Sequence, residues 1–229
     1  KINFRQVMRK IFLLICIFLT ITSNAQYGDN YKTILAYPSD ADIYINNEHV
    51  GKGNYNVNLE YKERVIVTVK KTGYITATYT LFKNNPNQTI TYKLEEDEAY
   101  TSSFGSGDTE VDFINKWMEI IPRKELSEDD AWRRMIAAIG NYFDHFDKMD
   151  KSSKWIRTFP KIHSYKNLDV RVTLEVKPDY STGNLRYKVR LLFEKKEKGG
   201  GVEDWKKYDR GLKQYINLYD EIKSSMSYR

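Results

Sequence analysis

Residues 168–177 and 185–194 alternate between apolar and polar side chains, and this pattern leaves the chain few ways to fold. Leu168, Val170, Val172, Leu174 and Val176 form the apolar set of the first stretch; Leu185, Tyr187, Val189, Leu191 and Phe193 form that of the second. A period of two puts each set on one side of a pleated strand. Residues 178–184, Pro-Asp-Tyr-Ser-Thr-Gly-Asn, are turn chemistry, so the pair predicts a β-hairpin with one buried and one wet face. The wet face presents Asp169, Arg171, Thr173 and Glu175 against Arg186, Lys188 and Arg190. Arg171, Lys188 and Arg190 are the candidate anion-binding residues, because adjacent cations on a rigid sheet can hold a carboxylate or phosphate. The competing reading is a solvated face with cross-strand charge pairing.

Around this hairpin the expectation is an α+β unit over residues 111–229. Residues 113–121 are apolar-rich and predict a first strand, and residues 154–159 predict another. Ser127 followed by Asp130 resembles a capping box, and Trp132, Met135, Ile136, Ile139, Tyr142, Phe143 and Phe146 recur at helical spacing. After Gly199-Gly200-Gly201, the residues Trp205, Tyr208, Leu212, Tyr215, Tyr219, Ile222 and Met226 are spaced by threes and fours, which predicts a long amphipathic helix. Both helices are expected against one face of an antiparallel sheet. The C-terminal seam permits an oligomer without implying one.

Residues 32–94 alternate in shorter runs, at 34–37, 42–46, 65–70, 74–82 and 89–94, separated by Gly, Asn, Pro and Asp clusters. They predict a small antiparallel β-sandwich over residues 26–94. Gly51 and Gly73 are read there as structural turn positions. Tyr44, Tyr55, Tyr61, Tyr74, Tyr79 and Tyr92 crowd this segment, and Tyr44, Tyr55 and Tyr61 are candidate binding residues, since exposed rings stack on sugars or bury a protein contact. Residues 95–110 are acidic and small, with almost no aliphatics, and read as a linker.

At the N-terminus, Lys1, Arg5, Arg9 and Lys10 precede the apolar run 11–19, and Ser23 and Ala25 fit a peptidase pocket. This predicts a signal peptide over residues 1–25 cleaved after Ala25, too short in its apolar run for a stable membrane anchor, and hence an exported protein of the periplasm or cell surface. The signal holds four of the 37 basic residues and none of the 31 acidic ones, so 33 remain against 31. That near-neutral balance disfavours nucleic acid as a partner. The single cysteine, Cys16, leaves with the signal, so no disulfide or thiolate chemistry is expected.

His49, His145 and His163 lack metal-ligand spacing, and no nucleophile elbow, phosphate loop or dinucleotide fingerprint occurs. No catalytic residue, metal or cofactor is expected. Paired carboxylates of a hydrolase leave no local signature, so that alternative stays open.

Two stretches carry family resemblances. Pro38-Ser39-Asp40-Ala41-Asp42-Ile43-Tyr44-Ile45-Asn46-Asn47, then Val50-Gly51-Lys52 and Val67-Thr68-Val69-Lys70-Lys71-Thr72-Gly73-Tyr74, resemble the PEGA domain over residues 33–95. The resemblance implies a non-catalytic β module of extracytoplasmic proteins. The order strand, helix, three strands, long helix, with Trp117 to Ile121 leading into the Ser127 helix, resembles TATA-binding-protein-like domains of unknown function from secreted Gram-negative envelope proteins. Together these imply a binding module for envelope polysaccharide, or else a scaffold subunit of an envelope protein assembly.

Overall fold

A computed structural model of the chain describes residues 30–105, 108 and 113–227. The expected signal peptide and parts of residues 95–110 lie outside them. The described residues are rich in β-structure, with several antiparallel sheets and three short helices among them. The described residues divide into two compact units: 30–72 with 76–94, and 73–75 with 95–227.

The first unit holds two sheets. One joins β1 (Tyr31–Tyr37), β4 (Asn54–Asn58) and β7 (Thr89–Lys93) in the order β4-β1-β7. The other joins β2 (Asp42–Ile45), β3 (Glu48–Lys52), β5 (Arg64–Lys70) and β6 (Ala77–Phe82) in the order β3-β2-β5-β6. Ile34, Ile43, Val57, Val65, Val67, Val69 and Leu81 fill the interior. The expected purely antiparallel arrangement is corrected at one ladder: β1 and β7 pair in parallel. Strands β3 and β4 escape the sequence reading because their burial is shallow, with one buried residue, Val57, between them. Asn46 and Asn47, both left-handed, close the β2–β3 hairpin.

Gly51, expected at a turn, lies inside β3 opposite Ile43. The demanding turn position is Gly53, at φ +65, where a Cβ would fall 2.0 Å from the Ser39 carbonyl oxygen. Gly73 is left-handed at φ +82, as a turn glycine should be.

In the second unit the long hairpin pairs β13 (Leu168–Asp179) with β14 (Arg186–Glu197) over their full length. It is the spine of a seven-stranded sheet in the order β10-β11-β13-β14-β15, with β12 also on β13 and β9 also on β14. The flanking strands are β9 (Met118–Ile120), β10 (Phe146–Asp150), β11 (Trp155–Thr158), β12 (Lys161–Ser164) and β15 (Lys206–Lys207). Val170, Val172, Leu174 and Val176 of β13, with Tyr187, Val189, Leu191 and Phe193 of β14, are completely buried. Against that face pack Trp132, Met135 and Ile139 of α2 (Glu128–Gly140) and Leu218, Ile222 and Met226 of α3 (Leu218–Ser227). Ser127 caps α2 by accepting from the Asp130 amide.

Four expectations need correction. Residues 113–121 give only the three-residue β9, because Asn115 turns left-handed at φ +58 and uses its amide to accept from Phe193 N and donate to Tyr208 O. Helix α2 stops at Gly140 rather than Phe146. Phe143 still reaches the core through a turn closed on Ile139 O, and Phe146 opens β10. The expected helix from Trp205 shrinks to α3, because Arg210–Leu212 forms β16 and pairs with β8 (Ser103–Gly105). Residues 95–110 are not simply a linker: besides β8 they hold α1 (Glu98–Thr101), capped by the Asp97 carboxylate, with Ala99 and Phe104 buried. Among the described residues no helix is long and apolar enough to cross a membrane.

Candidate functional site

The pleat that buries one side of β13 and β14 puts Asp169, Arg171, Thr173, Glu175, Lys177 and Asp179 on the opposite face, across from Lys196, Glu194, Leu192, Arg190, Lys188 and Arg186 in that order. Opposite charges meet in register at several of these pairs. Arg171 Nε lies 2.7 Å from Glu194, and Arg190 Nη2 lies 2.5 Å from Glu175. Lys188 Nζ is 2.6 Å from Asp179, and Arg186 reaches Glu119 of β9 at 3.0 Å. The Lys188 ammonium holds the Asp179 carboxyl well below its usual range, and Lys198, with Ser164, lowers that of Asp169.

The expected anion trio is therefore divided. Each of Arg171, Lys188 and Arg190 already faces a carboxylate. Lys188 and Arg190 are neighbours on β14, whereas Arg171 lies opposite Glu194, four residues or roughly 13 Å farther along the ladder.

Nor do the candidate tyrosines form a platform. Tyr44 stands on β2 among the half-buried positions, with Lys70 4.9 Å from its ring centre and His49 at its edge. Tyr55, on β4, sits on the same side as buried Val57, and Tyr61 is 90% exposed in the loop before β5. Tyr79 and Tyr92 stack at 4.5 Å, and Tyr92 is buried.

The sequence reading missed the tryptophans. Trp117, just before β9, has Arg190 at 4.3 Å and Lys177 at 4.5 Å from its ring. Trp205, just before β15, has Arg171 at 4.6 Å and Lys196 at 5.1 Å. Trp155 opens β11 with Lys148 at 4.1 Å. All three are half-buried. Each indole thus lies against cations, a contact of about 0.5–1 kcal/mol at partly exposed sites. A signal for this was available: Val170-Arg171-Val172-Thr173-Leu174-Glu175-Val176-Lys177 recurs as Val189-Arg190-Leu191-Leu192-Phe193-Glu194-Lys195-Lys196.

Elsewhere, His163 accepts from Gln214 Nε2 at 2.9 Å and meets the Tyr215 hydroxyl at 3.0 Å; burial, with Lys161 nearby, pushes its pKa down. A cleft of about 680 Å³ between α2 and α3 is lined by Arg134, Ala137, Asn141, Asn217 and Glu221. Its Glu221 is engaged by the Tyr142 hydroxyl at 2.5 Å, and burial together with that carboxylate pushes Tyr142 up to about 12. Among the described residues no group of three or more His, Cys, Asp or Glu is placed to hold a metal ion. The polar hairpin face can therefore offer flat aromatic surface, fixed cations and hydrogen-bond-accepting carboxylates side by side. No family model, curated protein or solved structure matches this chain.

Proposed function

We propose that the chain is an exported, non-catalytic binding protein of the bacterial cell envelope that holds envelope polysaccharide on the polar face of the β13–β14 hairpin. The observation that carries this reading is the placement of Trp117 and Trp205 over Arg190, Lys177, Arg171 and Lys196 on one rigid sheet face. Flat rings suit sugar faces, and the fixed charged groups beside them supply donors and acceptors for hydroxyls. In the same reading residues 26–94 form a PEGA-like spacer or binding module, and residues 111–229 the TATA-binding-protein-like α+β domain that carries the site.

A second reading, a subunit of an envelope protein assembly, draws on Ile162, 58% exposed opposite Arg171 of the hairpin, and on Phe159, 54% exposed just after β11. Sedimentation of purified protein with insoluble peptidoglycan and with envelope polysaccharide separates the two. Saturable retention that Trp117→Ala combined with Trp205→Ala abolishes supports the first. Retention of an envelope protein by the wild type, with no polysaccharide retained, replaces it by the second.

A further inference from the structure

The repeat shared by β13 and β14 has a geometric consequence. Because the strands run antiparallel, two copies of one sequence placed side by side are related by a local two-fold axis, here passing by the Thr173–Leu192 pair. The axis carries Arg171 onto Arg190, Glu175 onto Glu194 and Lys177 onto Lys196. The contacts obey it: Arg171 pairs with Glu194 as Arg190 pairs with Glu175. The flanking strands extend it. Lys207 of β15 lies opposite Glu194, and Arg157 of β11 lies opposite Glu175, 3.8 Å from its carboxylate. Two clusters result. One sets Arg171, Lys196 and Lys207 around Glu194 beneath Trp205, and the other sets Arg190, Lys177 and Arg157 around Glu175 beside Trp117. Each keeps a cation excess even with Asp169 opposite Lys196 and Asp147 3.9 Å from Arg157 counted, although the chain beyond residue 25 is nearly neutral.

We infer that these clusters, alike in their cations and in the indole laid against them, are two subsites for acidic sugars of one linear, uronate-type polysaccharide strand. The inference rests on the proposed function and adds the class of ligand and its two-point grip. Charge complementarity selects the acid: its carboxylate meets the cation excess, to which Arg offers a planar fork of donors. The central Glu175 and Glu194 select a polyol. They accept hydroxyl hydrogen bonds, which a sugar offers and a phosphodiester backbone does not. The indoles supply the flat contact for the ring face. Trp117 precedes β9, whose Met118 pairs with Val189, and Trp205 precedes β15, whose Lys206 pairs with Lys195. Both rings enter from the edge of β14 away from β13, so the axis relates their cation contacts and not their backbones; they lie near Arg190 and Lys196, six residues or roughly 20 Å apart. One strand spanning both subsites gains the effective-concentration advantage of a linked ligand, which a disaccharide cannot.

The test uses purified protein, polygalacturonate, its fully methyl-esterified form, digalacturonate and poly(dT), with affinity followed by titration calorimetry and circular dichroism confirming that each variant is folded. Polygalacturonate is expected to bind, and methyl esterification is expected to weaken it at least about 10-fold. Trp117→Ala and Trp205→Ala should each cost about 10-fold or more on the polymer, yet each should change digalacturonate affinity only about two-fold, because either site alone serves the short ligand. Equal binding of the esterified chain overturns the acidic-sugar assignment while leaving the polysaccharide reading standing. A loss confined to one tryptophan variant overturns the two-site grip. Tighter binding of poly(dT) than of polygalacturonate replaces the sugar by single-stranded nucleic acid. Failure to bind polygalacturonate at all overturns the inference, and if peptidoglycan and envelope polysaccharide are not retained either, the proposed function falls with it.

Discussion

Replacing Glu175 with Gln should destabilise the second unit more than the symmetry-related Glu194→Gln, and the two exposures set the magnitudes. The Glu175 side chain is 13% exposed and its partner Arg190 28%; Glu194 and Arg171 are 30% and 28% exposed. Glu175 also faces Arg157, and Arg190 Nε is buried with no hydrogen-bond partner among the described residues, so Arg190 depends on the carboxylate at its Nη2. Breaking a fully buried pair costs about 3–5 kcal/mol, while an exposed pair contributes about 0.2–1 kcal/mol. Glu175 lies between these limits, which puts its loss at about 2 kcal/mol against about 0.5–1 kcal/mol for Glu194. The assay is favourable, because all four tryptophans, at positions 117, 132, 155 and 205, belong to the second unit. Urea unfolding followed by tryptophan emission therefore reads this unit alone. With a slope near 1.5 kcal/mol per molar, Glu175→Gln should lower the midpoint by about 1–1.5 M. A double-mutant cycle with Arg190→Gln should return a coupling of about 1.5 kcal/mol. A Glu194→Gln loss equal to that of Glu175→Gln, or a coupling below about 0.3 kcal/mol, refutes the reasoning.

His163 has a pKa below its ordinary 6.5 in the folded chain, so the unfolded chain binds the extra proton first. Its contribution is complete above about pH 6.5 and is lost as pH falls from there through the folded value, while protonation also removes the acceptor that Gln214 uses. Urea midpoints measured between pH 7.5 and 5.5 should fall in the wild type and fall less in His163→Gln; equal slopes would discard the assignment. Gly53→Ala should destabilise the first unit by about 3 kcal/mol, combining about 1–2 kcal/mol for a left-handed alanine with the shift needed to move Ser39 O. Since that unit has no tryptophan, amide hydrogen exchange of β2 and β5 is the readout, and a loss under about 1 kcal/mol would contradict the close approach.

The hairpin was legible because its alternation is long and its buried face unbroken; a one-residue slip would turn every valine of β13 to water. Helix α2 was legible for a similar reason, with Ser127 marking its start. The C-terminal reading failed where local and distant forces disagree. Tyr208, Leu212 and Tyr215 have helical spacing and are all buried, but they reach the core through β16 and a 3-10 turn, because Arg210–Leu212 finds its partner strand about a hundred residues earlier, at β8. Gly211 allows the approach: a Cβ there would press on the Phe104 ring at 2.7 Å. The same distant pairing draws Ser103–Gly105 out of the expected linker. The indole–cation contacts were not legible because each tryptophan stands alone in its own segment, and the cations it covers come from other strands.

The two faces of the hairpin are explained by different kinds of argument. The buried face accounts for folding: its side chains exclude water and pack α2 and α3, and no other role is needed for them. The polar face needs less than it has. Cross-strand Arg–Glu pairs alone would close it to edge slippage and keep it soluble. Two partly exposed indoles add apolar surface to a solvated sheet, and contacts of about 0.5–1 kcal/mol to cations do little more than hold the rings in place. Cross-strand pairing accounts for the repeated Arg and Glu, but not for Lys177 and Lys196, each with an indole against it. A ligand that meets the two clusters in the same way supplies a reason for these, because both copies would then be shaped by the same chemistry.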